Sequence, residues 1–300
     1  MKSRQDDFAG FGPGVLLAAL VLVAPARAGD IEPRAYVNTP VGVNFLIAGY
    51  SHSEGGLSTG VLPIADAQLK INSEVLAYAH TLDVWGNSGK FDIILPYADL
   101  SGTALVAGQQ RERQVSGLVD PRFRFSVNFF GSPALSLQEF AKFRQDVLIG
   151  ASIQVSAPLG QYDSSKLINL GINRWFIKPD IGISKAVGQL TLELSQGVTF
   201  FTNNNDFFGD KTLEQDPLYT TQVHVTYDFG RGVWGALDAV YDYGGRTTVN
   251  GVRGDDVQSN SRFGATLALP VNRNNSVKLY ASTGVATRTG SDYDLYGVAW

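Results

Sequence analysis

The chain has 300 residues, a formal net charge of −4 and no cysteine. The acidic balance gives no electrostatic basis for nucleic-acid binding, and the lack of cysteine excludes thiolate zinc sites and cysteine nucleophiles. Charged residues make up 17% of the chain and 33 residues are glycine, whereas soluble domains have about 25% charged residues and about 7% glycine. This composition favours strands that carry small side chains on one face.

The N-terminus is typical of a secretory signal peptide. A basic start precedes an apolar run over residues 15–24, which is followed by an A-x-A motif at residues 26–28. This pattern predicts a signal peptide over residues 1–28. The alternative, a buried or membrane-anchoring helix, stays open, although the run is shorter than the roughly 20 residues that a helical span needs. Residues 29–42 are predicted to form a short periplasmic tether, too short for a substantial plug domain.

From residue 43 onward, apolar and polar residues alternate with period two, which predicts strands. Phe123, Phe125 and Val127, for example, alternate with Arg122 and Arg124. Because an arginine in lipid is strongly destabilising, the arginine face must be the barrel interior and the apolar face must meet the bilayer. Twelve strands are predicted, over residues 43–52, 71–82, 89–98, 121–130, 147–157, 174–184, 190–201, 218–229, 232–243, 261–269, 276–287 and 294–300.

The connections between these strands alternate in length. Outer-membrane barrels have long external loops and short periplasmic turns, and the sequence follows this rule with two exceptions. The 131–146 connection is long where a short turn is expected, and a small periplasmic helix is predicted within 134–144; the 288–293 connection is short. The long connections are 53–70, 99–120, 158–173, 202–217 and 244–260, and the short ones are 83–88, 185–189, 230–231 and 270–275. The sequence therefore predicts one domain over 43–300, an all-β, antiparallel, up-and-down transmembrane barrel in the outer membrane.

The last predicted strand has Tyr296, Val298 and Trp300 at alternate positions. A terminal aromatic residue on an alternating strand resembles the signal that the outer-membrane assembly machinery reads. Asp294 departs from this pattern, since another apolar residue is preferred there. The lipid bilayer and the assembly machinery are thus the expected partners, together with a small-molecule solute.

A distinctive motif fills the connection after the fifth predicted strand and continues into the start of the sixth. It consists of Pro158, Leu159, Gly160, Tyr162, Asp163, Lys166, Leu167, Asn169, Gly171, Asn173, Arg174 and Trp175. This motif resembles the bacterial family of outer-membrane proteins of the MetA (meta-cleavage) pathway of phenol degradation. The resemblance extends from about Pro40 to the C-terminus, through residues 41–60, 120–123 and 292–294. It implies an outer-membrane barrel with a transport role, possible solutes being aromatic or other hydrophobic growth substrates. It supplies no catalytic residues.

Charged residues on the predicted inner faces are the candidate lumen-lining site. They could form a mixed-sign constriction that selects solutes, or a salt-bridge ladder that fills a narrow barrel, and the sequence favours neither. These candidates are Arg122, Arg124, Lys178, Asp180, Glu193, Asp228, Asp238, Asp242, Arg262 and Lys278.

The leading functional hypothesis is passive uptake of small molecules through this barrel, with no cofactor and no catalysis. His52, His80 and His224 lie on different predicted strands without the spacing of metal ligands, so no metal site is predicted. Two other hypotheses are a structural or adhesive barrel with a closed lumen, and an outer-membrane hydrolase with a Ser/His pair. The rival fold is a soluble β-sandwich, which would leave a large apolar surface in water.

Overall fold

The computed structural model describes residues 31–58 and 64–300, so the predicted signal peptide over 1–28 lies outside the described residues. Within the described ranges the chain forms seventeen strands and one short helix. The main sheet has thirteen strands. Twelve of them form a ring: β1 (Asn44–Ser58), β2 (Ile64–Val84), β3 (Asn87–Val106), β5 (Arg122–Phe130), β6 (Val147–Ser156), β7 (Phe176–Val187), β8 (Leu190–Phe201), β11 (Leu218–Gly230), β12 (Val233–Gly244), β15 (Gln258–Pro270), β16 (Ser276–Thr287) and β17 (Gly290–Ala299). The thirteenth is β4 (Gln109–Leu118), and the remaining strands are β9 (Asn204–Phe207), β10 (Lys211–Gln215), β13 (Thr247–Val249) and β14 (Val252–Arg253).

The main sheet closes on itself. Each of the twelve strands pairs antiparallel with the next one along the chain, and β17 pairs with β1 to complete the ring. Strand β3 pairs with β5 over residues 89–94 and with β4 over residues 97–106. Strands β4 and β5 therefore occupy the position of a single strand beside β3, which is interrupted at residues 119–121. The prediction of a twelve-stranded, antiparallel, closed barrel is confirmed.

The two faces of the barrel differ as the alternation predicts. On the outer face, Ile181 and Leu237 are 52% and 68% exposed, whereas Ser184 and Thr220 on the inner face are 0% and 2% exposed. A continuous apolar outer face is the surface that a barrel presents to a lipid bilayer. No helix within residues 31–58 and 64–300 has the length and apolar character needed to cross a membrane.

The external connections carry structure that the sequence did not predict. Strands β9 and β10 lie in the 202–217 connection and β13 and β14 in the 244–260 connection. They form a separate four-stranded sheet in the order β14-β13-β10-β9, called here the outer sheet. Its strands are two to five residues long, too short for period-two alternation to be recognised.

The opposite end of the barrel has tight turns and one longer connection. Trp85 and Arg231 adopt positive φ values of 53° and 55° at two of these turns. The 131–146 connection contains α1 (Leu137–Phe140), which begins with a capping box between Ser136 and Glu139. The predicted periplasmic helix is therefore present, and it is shorter than the 134–144 stretch in which it was expected.

Residues 31–42, called here the inserted segment, do not lie beneath the barrel as the predicted tether would. Ile31 packs against Val240 and Leu295 on the inner faces of β12 and β17. At the other end of the segment, the Thr81 hydroxyl of β2 donates to the Pro40 carbonyl at 2.6 Å. The prediction was wrong here because the contacts that hold the segment are made with distant strands, and local sequence pattern does not reveal them.

Candidate functional site

The inserted segment crosses the interior of the barrel. The Arg34 backbone N–H donates to Glu193 Oε2 of β8 at 2.5 Å, and the Tyr36 hydroxyl donates to Asp180 of β7. Ile31 also contacts Tyr280 of β16. Because these strands lie on opposite sides of a closed barrel, the segment occupies the space between them.

Arg124 of β5 is the centre of the charged contacts with this segment. Its Nε donates to Asp92 Oδ2 of β3 at 2.9 Å, and its Nη1 pairs with the carboxylate of Glu32. Lys90 Nζ lies 3.8 Å from Asp92 Oδ1. The Arg124 and Asp92 side chains are 7% and 1% exposed. In such a desolvated network, removal of one partner leaves an uncompensated buried charge, which costs about 3–5 kcal/mol.

Tyr36 is seated against two glycines of the barrel interior. A Cβ on Gly150 of β6 would lie 2.5 Å from Tyr36 Cδ1, and a Cβ on Gly182 of β7 would lie 2.2 Å from Tyr36 Cε2. Real Cβ atoms do not approach so closely, so the ring fits only because both positions lack a side chain. These glycines are paired across β6 and β7, and together they form a hollow for the aromatic ring.

The ten predicted lumen-lining residues fall into three groups. Asp228 does not belong to the interior: it is exposed at the β11–β12 turn, where its carboxylate accepts the Gly230 N–H at 2.8 Å. Two residues of β7 are half-buried on the inner face: Lys178 and Asp180. Seven are buried on inner faces: Arg122, Arg124, Glu193, Asp238, Asp242, Arg262 and Lys278.

The buried members are not brought together into one ring. His224 Nδ1 lies 2.7 Å from Asp238 Oδ1 on the neighbouring strand, and the Thr220 hydroxyl donates to Asp242 at 2.6 Å. Arg262 donates to the Tyr293 carbonyl at 2.8 Å. These are contacts within the barrel wall, across one or two strands, so the charges mainly bind one another, their strands and the inserted segment.

A separate cavity lies on the external side of the interior. It has about 920 Å³ of empty space, including the part open to solvent, between β1–β3, β17, the 157–175 connection and the outer sheet. Ile71 and Leu100 of the wall pack with Leu170 of the connection. The apolar lining residues are Leu57, Leu69, Ile71, Leu100, Leu167, Ile168, Leu170, Ile172, Phe207 and Leu213.

Asp120 holds the 157–175 connection in this inward position. Its two carboxylate oxygens accept the backbone N–H groups of Gly160 and Ile172, each at 2.8 Å. A Cβ on Gly160 would lie 2.7 Å from the Asp120 nitrogen, so the close approach requires glycine. Burial raises the pKa of the Asp120 carboxyl, in opposition to these hydrogen bonds, which lower it.

Tyr162 and Asn204 join the connection to the outer sheet. Asn204 Nδ2 donates to the Tyr162 hydroxyl at 2.9 Å, and that hydroxyl donates to the Asp206 carbonyl at 2.9 Å. Asn204 is 1% exposed. Burial raises the pKa of the Tyr162 hydroxyl. These hydrogen bonds thus fix the 157–175 connection to the outer sheet at this edge of the cavity.

The sequence matches a family model described as "Putative MetA-pathway of phenol degradation" over residues 51–299. The chain belongs to this family. The match includes Asp120 and the 157–175 connection, and it begins after the inserted segment. No curated protein sequence matches the chain.

Solved structures show the same fold. An outer membrane channel from Pseudomonas putida F1 is 20% identical, with a TM-score of 0.77, over 90% of this chain and 98% of that one. The transport unit of the autotransporter AIDA-I from Escherichia coli is 8% identical, with a TM-score of 0.51, over 85% of this chain and 88% of that one. Both have the fold of outer-membrane barrels.

Sequence reasoning missed several residues of the site in this member of the family. Lys90 and Asp92 occupy alternate positions of a correctly predicted strand, so the period-two rule that selected Arg122 and Arg124 could have found them. Glu32 precedes the strands, in a stretch without periodicity, and no local signal marks it. The apolar residues of the 157–175 connection gave a usable signal, because apolar side chains are unusual in a solvated external loop.

Proposed function

We propose that this protein is an outer-membrane channel for the passive uptake of small apolar molecules. The observation that carries the proposal is the apolar cavity, which opens on the external side of a closed transmembrane barrel. The family name refers to phenol degradation, and a structure with the same fold is an outer membrane channel. Both support a transport role in the outer membrane.

The chemistry of the cavity favours apolar solutes. An apolar molecule gains roughly 25 cal/mol for each Å² of surface that it removes from water, and the cavity offers leucine and isoleucine side chains for that contact. The hydroxyl of Tyr162 and the amide of Asn204 already bind groups of the protein. A polar solute would therefore lose hydration without equivalent replacement.

The inserted segment stands between the cavity and the other end of the barrel. Tyr293 lines the cavity and also packs against the cluster that contains Ile31. Passage of a solute therefore requires the inserted segment to move. The C-terminal aromatic pattern supports recognition by the assembly machinery as a further element of the proposal, because Tyr296 and Trp300 are both 61% exposed on the outer face.

Uptake of 1-N-phenylnaphthylamine, whose fluorescence rises when it enters a membrane, tests the proposal in a Gram-negative host that lacks other such channels. Ser53 is buried and lines the cavity, so Ser53→Trp should fill it and reduce uptake. Glu54→Trp is the matched control, since the adjacent residue of a strand points to the opposite face. Equal uptake by wild type and Ser53→Trp, at equal levels of folded barrel, would refute the proposal.

One alternative has a specific observation in its favour. The inserted segment occupies the barrel interior, as in a structural or adhesive barrel with a closed lumen. Purified wild-type protein that is folded but supports neither ion conductance in planar bilayers nor dye uptake in cells would establish this alternative. Ester cleavage by the same preparations, lost in His224→Ala, would instead indicate a hydrolase.

A further inference from the structure

Two polar cavities lie beside the inserted segment. The mid-barrel cavity has about 470 Å³ of empty space, including the part open to solvent, and lies against β5–β8 and β11. The periplasmic cavity has about 350 Å³ by the same measure and lies against β1, β3 and β5, toward the end of the barrel with the tight turns. Among the described residues, neither shares a lining residue with the apolar external cavity.

The two polar cavities meet at one place. Ala35 of the inserted segment and Ser126 of β5 line both of them. On either side of Ala35, Arg34 lines the periplasmic cavity and Tyr36 lines the mid-barrel cavity. The empty space therefore follows the segment past Ala35, and the place between Ala35 and Ser126 is called here the waist. Both side chains at the waist are small.

The walls of these cavities are hydrogen-bonding and charged. The polar lining residues include Gln154, Lys178 and Asp180 in the mid-barrel cavity and Ser88, Lys90 and Asn128 in the periplasmic cavity. A cavity with several polar partners holds water, whereas an apolar cavity stays dry. An apolar molecule would have to strip that water from charged groups without replacing its hydrogen bonds. The two cavities therefore suit water and small ions and exclude the apolar solute proposed above.

We infer that the two cavities form a hydrated bypass, which conducts water and small inorganic ions past the inserted segment while the segment stays in place. The barrel then has two routes with different substrate classes, since the apolar route requires displacement of the segment and the bypass does not. Lys178 and Asp180 place both signs of charge in the wall, and charges in a pore wall set ion selectivity. The inference goes beyond the proposed uptake of apolar molecules and does not depend on it.

A barrel whose segment is linked to the wall tests the bypass. A Cβ on Gly264 of β15 would lie 2.7 Å from Ile31 Cδ1, so Ile31→Cys with Gly264→Cys places two thiols side by side, and the natural chain has no cysteine to compete. The other end of the segment continues into β1, so one disulfide holds both ends. In planar bilayers, the linked barrel should keep its ion conductance within about twofold of wild type. Uptake of 1-N-phenylnaphthylamine by the linked barrel should fall, because the apolar solute requires displacement.

Narrowing the waist is the second measurement. Ser126→Trp should reduce ion conductance about fivefold or more in linked and unlinked barrels alike, because pore diameter limits conduction. The matched control is Phe125→Trp, since Phe125 is 39% exposed on the outer face. In a salt gradient, Lys178→Glu should shift the reversal potential toward cation selectivity.

Each outcome decides the inference. If the disulfide abolishes conductance, ions also require displacement of the segment and the bypass does not exist. If Ser126→Trp and Phe125→Trp conduct equally, ions pass elsewhere and the inference fails as well. If the linked barrel conducts and still takes up the dye, the bypass stands and the displacement step in the proposed function is wrong.

Discussion

Gly182→Ala should release the inserted segment without unfolding the barrel. A Cβ at this position would lie 2.2 Å from Tyr36 Cε2 and 2.4 Å from Tyr36 Cδ2. Gly182 is not among the residues with positive φ, so alanine suits its backbone. Alanine is also about 0.5–1 kcal/mol more favourable than glycine inside a strand. The conflict is therefore confined to Tyr36, which must leave its hollow.

The size of the effect follows from the cost of overpacking. Inserting a methyl group into a close-packed site costs about 1–3 kcal/mol, and each 1.4 kcal/mol changes an equilibrium about tenfold. The population of barrels with a displaced segment should therefore rise by about 5- to 150-fold. The hydrogen bond from Tyr36 to Asp180 is lost on displacement in wild type and variant alike, so it does not change this ratio.

Cysteine labelling measures this population directly, because the natural sequence contains no cysteine. Ala35→Cys places a thiol on the inserted segment, where Ala35 is only partly exposed, and a membrane-impermeant maleimide should react with it faster once the segment has moved. Labelling and single-channel conductance should both increase in the Gly182→Ala background. The control is Gly49→Ala, where the nearest atom to a new Cβ is 3.5 Å away. Unchanged labelling in a folded Gly182→Ala barrel would show that Tyr36 does not sit in this hollow.

Three further predictions follow from other contacts. Arg124→Gln leaves the carboxylates of Glu32 and Asp92 buried without their shared cation, so it should destabilise the inserted segment by about 3–5 kcal/mol. In the same labelling assay, the double variant Arg124→Gln with Glu32→Gln should increase labelling less than Arg124→Gln alone. Asp120→Asn loses one of two hydrogen bonds to the 157–175 connection, which costs about 1–3 kcal/mol. Burial raises the pKa of Asp120. This group therefore stabilises the wild type most below its ordinary pKa of about 3.9, and that contribution is lost as the pH rises through the raised value. The difference in thermal stability between wild type and Asp120→Asn should change in that window and be flat above it. Ile181→Lys on the lipid face should cost up to about 2–4 kcal/mol, whereas Ile181→Leu should be nearly neutral in urea unfolding from vesicles; equal midpoints would argue against lipid contact at this position.

The barrel itself was predictable because its physical rule is local. A strand with lipid on one side must show apolar residues at every second position, and β5 to β7 follow this rule from Phe123 to Ile183. Turn lengths then gave the direction of each strand. The sequence predicted a charged, water-filled interior. In the external half of the barrel the inner face is instead apolar, since Ala67, Ile71 and Leu100 are buried there.

The interior contents could not be predicted in the same way. Tyr36 meets Asp180 at a sequence separation of 144 residues, and Glu32 meets Arg124 at a separation of 92. Neither contact leaves a mark in the residues that flank it. Asp120 and Gly160 both lie in segments that resemble the family, but their hydrogen bond could not be predicted. It forms because the break between β4 and β5 lies beside the 157–175 connection in the folded barrel.

Along single strands, the inner face of the barrel changes from apolar at the external end to charged near the opposite end. This change accounts for the position of the cavity at one end and the inserted segment nearer the other. On β3, Leu100 lines the external cavity, whereas Lys90 and Asp92 lie beside the inserted segment nearer the opposite end. A conduit must bind its solute well enough to admit it and weakly enough to release it. For the proposed apolar solute, the external half offers a favourable surface and the opposite half offers no comparable one, so we expect no retention there. The charged contacts of that opposite half hold the inserted segment, and in the proposed uptake function its displacement is the step that we expect to control release.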